Sequence, residues 1–535
     1  MHISDVQQHA HAHDPDSQIA CIGTHGVHMQ NAERDLHRLM RAEEPMLKEL
    51  PLTKVSISEF RKTGLGTNMR ECYLHLPLHT FLSMWKYRRE TFMRTLVGER
   101  GALEIYWAKQ KMLPHWHRFP WASFVDKSPN LSIPVRLHGD DAPHLSQGGA
   151  FMSVNFCSCV VNEGPVTDRK HLIGVVGLPG LAPDALQTWF DPVVESFWDA
   201  GSGSTDCPYR MFFTELVSDW KFKREILNLP YHYNCSKALC HECVLDKKDI
   251  FDVTIVHEQR LTADFIQYFH DSNLRVPALA RLPGFDLTYT LMGDDMHELC
   301  CNGVAAWACG STLAELCLDN HYNSPNHGEW RVRWGLQLRL AHVEFETYCK
   351  AHGLAHSQPM FTVASLSLGG GQNHEAMLKS KAANTMMVTA WLADKVSHHN
   401  GTLHGQRRAL LMWSLAEAWH VLNCKKMWLD DHRRKRLARA AHVMMRNAVL
   451  LRFEAHRNAT RHWAFKPKHH ALCHTFAGGI FSSRNPASHH CFSDESHIGV
   501  IKKLGKNALG NHWRSVRCSV TRCGFADVAA HHFSF

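Results

Sequence analysis

Apolar and polar residues alternate in several short segments between residues 129 and 219, which is the pattern of half-buried β-strands. Four such strands are predicted, at residues 132–143, 148–161, 171–180 and 209–219. A helical pattern separates the third strand from the fourth. It is predicted to begin at Pro183 and Asp184 and to end near Gly201. Three strands, a helix and a further strand predict a compact α/β unit.

Apolar residues recur at intervals of three and four beyond about residue 325, which predicts a mostly helical region. One stripe runs from Trp334 to Tyr348, with Gly353 where a C-terminal cap would stand. A second runs from Leu437 to Leu451, behind the basic run of residues 432–436. We interpret these stripes as core-facing.

The patterns divide the chain into five parts, which differ in hydrophobic periodicity. They are a poorly structured His-rich N-terminal segment (1–74), a helical region (75–128), the first part of an α/β core (129–245), a mainly helical insertion (246–462) and a C-terminal part of the core (463–535). Within the first strand, Pro134 cannot donate to a neighbouring strand, so a bulge or irregular pairing is expected there.

Composition narrows the class of protein. The chain has 535 residues, of which 44% are hydrophobic and 21% charged, as in a globular protein with a sizeable core. No apolar run is long enough for a membrane span, and the polar first residues do not resemble a secretory signal. The 18 cysteines therefore favour reduced thiols in an intracellular protein. A net charge of +8 permits a partner such as DNA without requiring one.

Two acids stand at strand ends, where a rigid backbone can present a carboxylate to solvent. Asp140 ends the first predicted strand and Asp219 ends the fourth. Phosphodiester cleavage uses two divalent cations about 4 Å apart, and magnesium prefers carboxylate ligands. Glu495, in the first turn of a predicted late helix, offers a third acid. An ordinary solvated strand end remains the alternative for each of these residues.

A pair of thiols has the spacing of a metal clip. Cys240 and Cys243 are separated by two residues, as in many zinc sites. Two further ligands are needed, and the candidates are His241, His297, and the pair His470 and His474. The alternative is that both cysteines are simply reduced thiols.

The order of short motifs resembles that of transposase-like proteins related to the CACTA (En/Spm) and Plavaka types of DNA transposon. The motifs are RLHGDDAP (136–143), SDWKFKREILNLPYHYNCSKALCHEC (218–243), GDDMHELCC (293–301), FKPKHHALCH (465–474) and RNPASHHCFSDESHIGVIKKLGK (484–506). The resemblance covers roughly residues 75 to 520 as blocks in matching order.

The resemblance implies an α/β fold with an RNase H-like mixed-sheet core, interrupted by a large mainly helical insertion and preceded by a helical N-terminal region. It implies cleavage and transfer of DNA strands by Asp140, Asp219 and Glu495 with Mg²⁺ or Mn²⁺, supported by Asp294 and His297. The implied partners are transposon ends and target DNA, the implied location is the nucleus, and homo-oligomers are expected. No partnership with a membrane is expected.

One departure from the family pattern leaves alternatives open. Asp141 stands where the family has glycine, so the first acid is Asp140 or Asp141, and Asp494 rivals Glu495 as the third. The chain is then either an active transposase or an inactive relic that binds DNA or protein through the same fold. A structural Zn²⁺ at Cys240 and Cys243, within a zinc-stabilised helical scaffold, is the other alternative.

Overall fold

A four-stranded mixed sheet and a body of long helices make up the part of the chain that the computed structural model describes. That part comprises residues 50–61, 66–143, 150–161, 164–233, 238–253, 258–291, 295–323, 328–398, 401–424 and 426–489. The protein is therefore α/β, as the sequence predicts.

A β-hairpin precedes the first helix. Its strands are β1 (Thr53–Phe60) and β2 (Thr67–Leu74), paired antiparallel. Val55, Ile57 and Leu74 are buried in the same core as the main sheet. The prediction that residues 1–74 are poorly structured is therefore wrong for residues 53–60 and 67–74, where alternating residues gain their burial from a distant part of the chain.

The four predicted strands are all present and form one sheet. They are β3 (Ser132–Pro143), β4 (Ala150–Ser158), β5 (His171–Gly177) and β6 (Arg210–Val217). The spatial order is β5-β4-β3-β6. The first three strands form an antiparallel meander, and β6 returns parallel to β3 after a helical crossover.

The irregularity expected at Pro134 is confirmed. The pairing of β3 with β6 shifts between Val135 and Arg136, so that Thr214 of β6 is an extra residue. The Thr214 hydroxyl donates to the carbonyl of Val135 at 3.3 Å. The carbonyl of Pro134 accepts from the backbone N–H of Cys159 at 2.9 Å. A central strand thus accommodates a proline by a bulge in its neighbour.

The α-helices confirm the helical patterns of the sequence. They are α1 (Pro77–Tyr87), α2 (Arg89–Phe92), α3 (Ala102–Gln110), α4 (Ala122–Lys127), α5 (Val166–Arg169), α6 (Ala185–Ser202), α7 (Trp220–Ile226), α8 (Thr262–Asp271), α9 (Ala305–Leu318), α10 (Trp330–Ala351), α11 (Ala382–Ser397), α12 (Leu403–Leu422), α13 (Asp431–Arg457) and α14 (Pro467–Phe481). Residues Met93–Val97 and His297–Val304 are π-helical. None of the helices in the described ranges has both the length and the hydropathy that a membrane span requires.

Two hydrophobic cores organise these elements. The sheet core lies between one face of the sheet and α6, and it extends from Val55 to Leu291 along the chain. The helical core begins at Met296 and contains residues of α9 to α14, ending at Phe476. The sheet core thus draws its buried residues from the chain up to Leu291 and the helical core from Met296 onward, while Trp220, Ile250 and Val253 pack against the helical core.

The two faces of β3 differ in polarity, because alternate residues of a strand point to opposite sides. Ile133, Val135 and Leu137 are fully buried in the sheet core. Arg136 and His138 are buried on the other face. There the Arg136 guanidinium donates to Cys157 Sγ at 3.3 Å and to the carbonyl of Ser488 at 2.5 Å, which fixes the segment after α14 against the sheet.

A buried glutamate ties three helices of the helical core together. Glu315 of α9 accepts hydrogen bonds from Arg408 of α12 at 3.1 Å and from the indole of Trp463 at 2.5 Å. His404 Nε2 lies 2.9 Å from Glu315, and its Nδ1 lies 2.7 Å from Glu454 of α13. Burial alone would raise the pKa of Glu315. The hydrogen bond and charge of His404 and the charge of Arg408 outweigh burial and hold the pKa below its ordinary value.

We predict that Glu315→Gln lowers the free energy of unfolding by about 3 kcal/mol at neutral pH, because it leaves Arg408 buried without its carboxylate. Chemical denaturation measures this, with the exposed Glu329→Gln as control, for which a change within about 0.5 kcal/mol is expected. A carboxyl with a depressed pKa contributes stability above its unfolded-state pKa and loses it as the pH falls through the folded value. The difference between wild type and variant should therefore shrink in acid, and equal stabilities at pH 7 would contradict the assignment.

Candidate metal centres

The register of β3 and β6 brings Asp140 and Asp219 together. His138 of β3 pairs with Val217 of β6, and each aspartate lies two residues further along its parallel chain. The two side chains therefore project from the same face and the same edge of the sheet. One carboxylate oxygen from each of Asp140, Asp141 and Asp219 lies within 4.8 Å of the others. We call this group the acid centre.

Local hydrogen bonding fixes the position of Asp219. It is the N-cap of α7, and its Oδ1 accepts from the backbone N–H of Phe222 at 2.7 Å. Aspartate is a preferred N-cap because its short side chain satisfies one of the free N–H groups of the first turn. The cap leaves the second carboxylate oxygen for other partners.

Gly139 allows α7 to approach β3 closely. A Cβ atom built on Gly139 would lie 1.9 Å from Cζ of Phe222, far inside van der Waals contact. Any other residue at position 139 would displace the ring, and with it the helix that Asp219 caps. The glycine before Asp140 is thus required by packing beside the acid centre.

The charges around Asp219 favour its protonated form. The pKa of Asp219 is raised to about 6, chiefly by burial and to a smaller extent by the charges of Glu298 and Asp141, whereas the hydrogen bond from the Phe222 N–H and the charge of Lys221 oppose the shift. Asp141 itself forms an ion pair with Lys221 of α7. A carboxyl whose pKa is raised beside other carboxylates is a feature that cation sites share.

Glu298 is an acid near this centre that the sequence analysis did not identify. It lies in the π-helical segment, its carboxylate is 2.8 Å from Lys468 Nζ of α14, and its charge acts on Asp219. The only signal in the sequence is its position beside His297. Nothing in the linear pattern indicates that this segment reaches the end of β6.

The other predicted residues of the acid centre have different outcomes. Glu495, Asp494 and Asp294 lie outside the described residues. His297 is described, and its Nδ1 lies 3.5 Å from Asp295 while its Nε2 lies 2.9 Å from the amide nitrogen of Asn302. These contacts give His297 a fixed orientation at the start of the π-helical segment.

Cys240 and Cys243 meet the histidine pair of α14. One ligand atom from each of Cys240, Cys243, His470 and His474 lies within 4.8 Å of the others. His470 Nε2 lies 3.3 Å from Cys243 Sγ and 3.0 Å from His474 Nε2. Two thiols and two imidazoles in one small volume are the donor set of a tetrahedral zinc site. We call this group the Cys/His centre.

The thiols of the Cys/His centre have opposite acidities. Hydrogen bonding from Cys240, together with His470 and His474, lowers the pKa of Cys243 well below its ordinary value, although burial opposes this. Burial raises the pKa of Cys240, and the neighbouring Cys243 adds to the effect. Metal binding requires thiolates, and a bound cation would stabilise both of them.

The structure also separates the histidine candidates for this centre. His470 and His474 are one helical turn apart and both face the thiols. His241 Nε2 instead lies 3.7 Å from Glu242. His297 is outside the group, because it contacts Asp295 and Asn302. The packing of α14 against the loop of residues 238–246 decides which histidines join the thiols. Residue type alone does not, since all four histidines can bind a metal.

A search of protein-family models and a search of curated proteins returned no match to this chain. Functional inference therefore rests on the two centres and on the topology of the sheet.

We predict that Mn²⁺ binding to the acid centre weakens by about tenfold per pH unit once the pH falls below the Asp219 pKa of about 6, because the cation must then displace a proton. Calorimetric or electron-spin titration between about pH 5 and 7 measures this. Asp219→Asn should lower the affinity and remove the pH dependence, while the exposed Asp271→Asn should change neither. An affinity that stays constant across this range would contradict the role of Asp219.

We predict that the purified protein contains about one zinc ion per chain, and that Cys243→Ser loses it and lowers the melting temperature. Elemental analysis and thermal unfolding with and without a chelator measure this. The matched control is Cys473→Ser. Cys473 is a buried thiol on α14, the helix of His470 and His474, but it lies outside the centre, so this variant should retain the metal. Full zinc content in Cys243→Ser would show that the four side chains do not form the site.

Proposed function

We propose that this chain is a transposase-like protein with an RNase H-like core, which cleaves and transfers DNA strands with divalent cations. The observation that carries the proposal is the convergence of Asp140 and Asp219 at the ends of two adjacent parallel strands. Two carboxylates at such a sheet edge are what a two-metal phosphodiester reaction requires. An antiparallel meander followed by a helix and a parallel fourth strand is consistent with this core.

The proposed roles of the acids follow from the way carboxylates bind divalent cations. Asp140 and Asp219 would hold Mg²⁺ or Mn²⁺, which supplies Lewis acidity at the phosphate and lowers the pKa of an attacking hydroxyl. The Phe222 N–H fixes the orientation of Asp219 through its cap. Glu495 remains the proposed third acid, with Asp494 as its rival and Asp294 and His297 as supporting residues.

The ion pair of Asp141 favours Asp140 as the first acid. Lys221 forms an ion pair with the Asp141 carboxylate, and this pair competes with metal binding by that carboxylate. Asp140 also lies, by strand alternation, on the polar face that carries Arg136 and His138. Asp141 would then act on the centre through its charge rather than as its main ligand.

The proposed reaction supports DNA as the partner more strongly than the basic run of α13 does. Arg433 pairs with Asp430, Arg434 pairs with Asp431, and Arg436 pairs with Glu417. These internal pairs reduce the charge available for phosphates. The net charge of +8 and the proposed reaction support DNA and a nuclear location.

A zinc-stabilised scaffold is a second candidate function, and the Cys/His centre is the observation that favours it. The centre joins the loop of residues 238–246, whose apolar side chains form a small cluster of their own, to α14 of the helical core. Such a link stabilises the fold whether or not the acid centre is active. A relic of the same fold that only binds DNA or protein would keep this link.

We predict that the protein nicks plasmid DNA in the presence of Mg²⁺ or Mn²⁺, and that Asp140→Asn reduces the rate by about a hundredfold or more, because the metals lose a shared ligand. Asp141→Asn is the matched control, one residue away, and should retain most of the activity. Gel assays of supercoiled DNA with and without a chelator measure both variants.

Two outcomes would redirect the assignment. Equal rates for Asp140→Asn and wild type would exclude Asp140 as the first acid. Cation binding to the acid centre without any nicking by the wild type would favour the relic that only binds DNA or protein.

A further inference from the structure

Helix α10 has an apolar stripe on each of two opposite faces. One stripe is buried in the helical core and comprises Trp334, Leu338, Ala341 and Phe345. The other is exposed and comprises Val332 (59% exposed), Leu336 (38%), Leu340 (48%) and Val343 (58%). We call the second set the outer stripe.

The outer stripe is one continuous surface. Its members are spaced by four, four and three residues, so at 100° per residue they occupy an arc of about 80°. The centre of this arc is about 170° from the centre of the buried stripe. Four large aliphatic side chains in a row on solvent-facing helix are unusual for a surface without a partner.

Charges of both signs lie along α10. Arg331, Arg333 and Arg339 lie in its first half, and Glu344, Glu346 and Lys350 lie in its second half. Two copies of the helix packed in parallel would place Arg333 beside Arg333 and Glu344 beside Glu344. Packed antiparallel, they would place Arg333 of each copy beside Glu344 of the other.

The outer stripe is also self-complementary in register. Val332 and Val343 are placed symmetrically about residue 338, to within one residue, and so are Leu336 and Leu340. Arg333 and Glu344, which flank the stripe on the same side, share nearly the same midpoint. A two-fold axis near residue 338 would therefore pair apolar with apolar and arginine with glutamate at once, as an isologous interface requires.

We propose that the outer stripe is a self-association surface, on which α10 of a second copy of this chain packs antiparallel about a two-fold axis near residue 338. Glu344 also binds Lys395 of its own chain at 2.6 Å. A carboxylate has two oxygens, so it accepts from Lys395 and from Arg333 of the second copy together. This inference does not depend on the acid centre or on the proposed reaction.

Sedimentation of the full chain over a range of concentrations tests the surface. The wild type is expected to form dimers, and the variant Leu336→Asp/Val343→Asp is expected to weaken dimerisation at least about tenfold. The control is Leu410→Asp, an equally exposed leucine on α12 (45%), which should leave the dimer intact. A wild type that is monomeric at every concentration, or a dimer that the double variant does not weaken, overturns the proposal.

A charge exchange tests the antiparallel pairing. Arg333→Glu should weaken the dimer, because it places two acids beside each other. Adding Glu344→Arg in the same chain restores an opposite pair across the axis and should recover dimerisation. Within one chain, Glu344→Arg only removes the ion pair with Lys395. A recovery of dimerisation therefore has to come from the new pair across the interface. Further weakening in the double variant would overturn this register.

Thiol cross-linking tests the direction of the helices. A chain with Leu336→Cys mixed with a chain carrying Leu340→Cys should cross-link through a short bifunctional thiol reagent, above the background of the wild type. Val332→Cys alone should not cross-link to itself, since twelve residues at 1.5 Å rise separate the two copies by about 18 Å along the axis. Efficient cross-linking of Val332→Cys would indicate parallel helices and overturn the proposal.

Discussion

The contact between Gly139 and the Phe222 ring is the constraint on which the acid centre depends. The ring occupies the space where any other residue would have its Cβ atom. It is buried in the sheet core, so it anchors α7 against the end of β3. Because Asp219 caps α7 and Asp140 follows Gly139, the same packing contact sets the separation of the two carboxylates. The geometry of the acid centre is thus a consequence of core packing.

The two centres are mechanically connected through α14. Its histidines belong to the Cys/His centre, and its Lys468 contacts Glu298, whose charge acts on Asp219. The thiols come from a loop that follows the sheet, so a cation in this centre would fix α14 relative to the loop. The position of Lys468, and with it the charge balance of the acid centre, would then depend on that fixed helix.

The sequence predicted those features that local patterns encode. The alternation in residues 132–143 identified β3, and Pro134 identified its irregular pairing, because both effects act within a few residues. The pattern could not reveal that Glu298 reaches Asp219, or which histidines join Cys243. It also missed the paired strands β1 and β2. Each of these depends on contacts between residues far apart in the chain, which single-sequence periodicity does not contain.

The charge balance of the acid centre is the strongest physical reason to expect a cation there. Three carboxylates lie within 4.8 Å of one another there, and Lys221 forms an ion pair with one of them, Asp141. Glu298 is already offset by Lys468. Burial, assisted by the charges of Glu298 and Asp141, holds the pKa of Asp219 at about 6, so that the carboxyl binds a proton more readily than an ordinary aspartate does. A divalent cation would replace that proton, which is the role proposed for Mg²⁺ or Mn²⁺ at the acid centre.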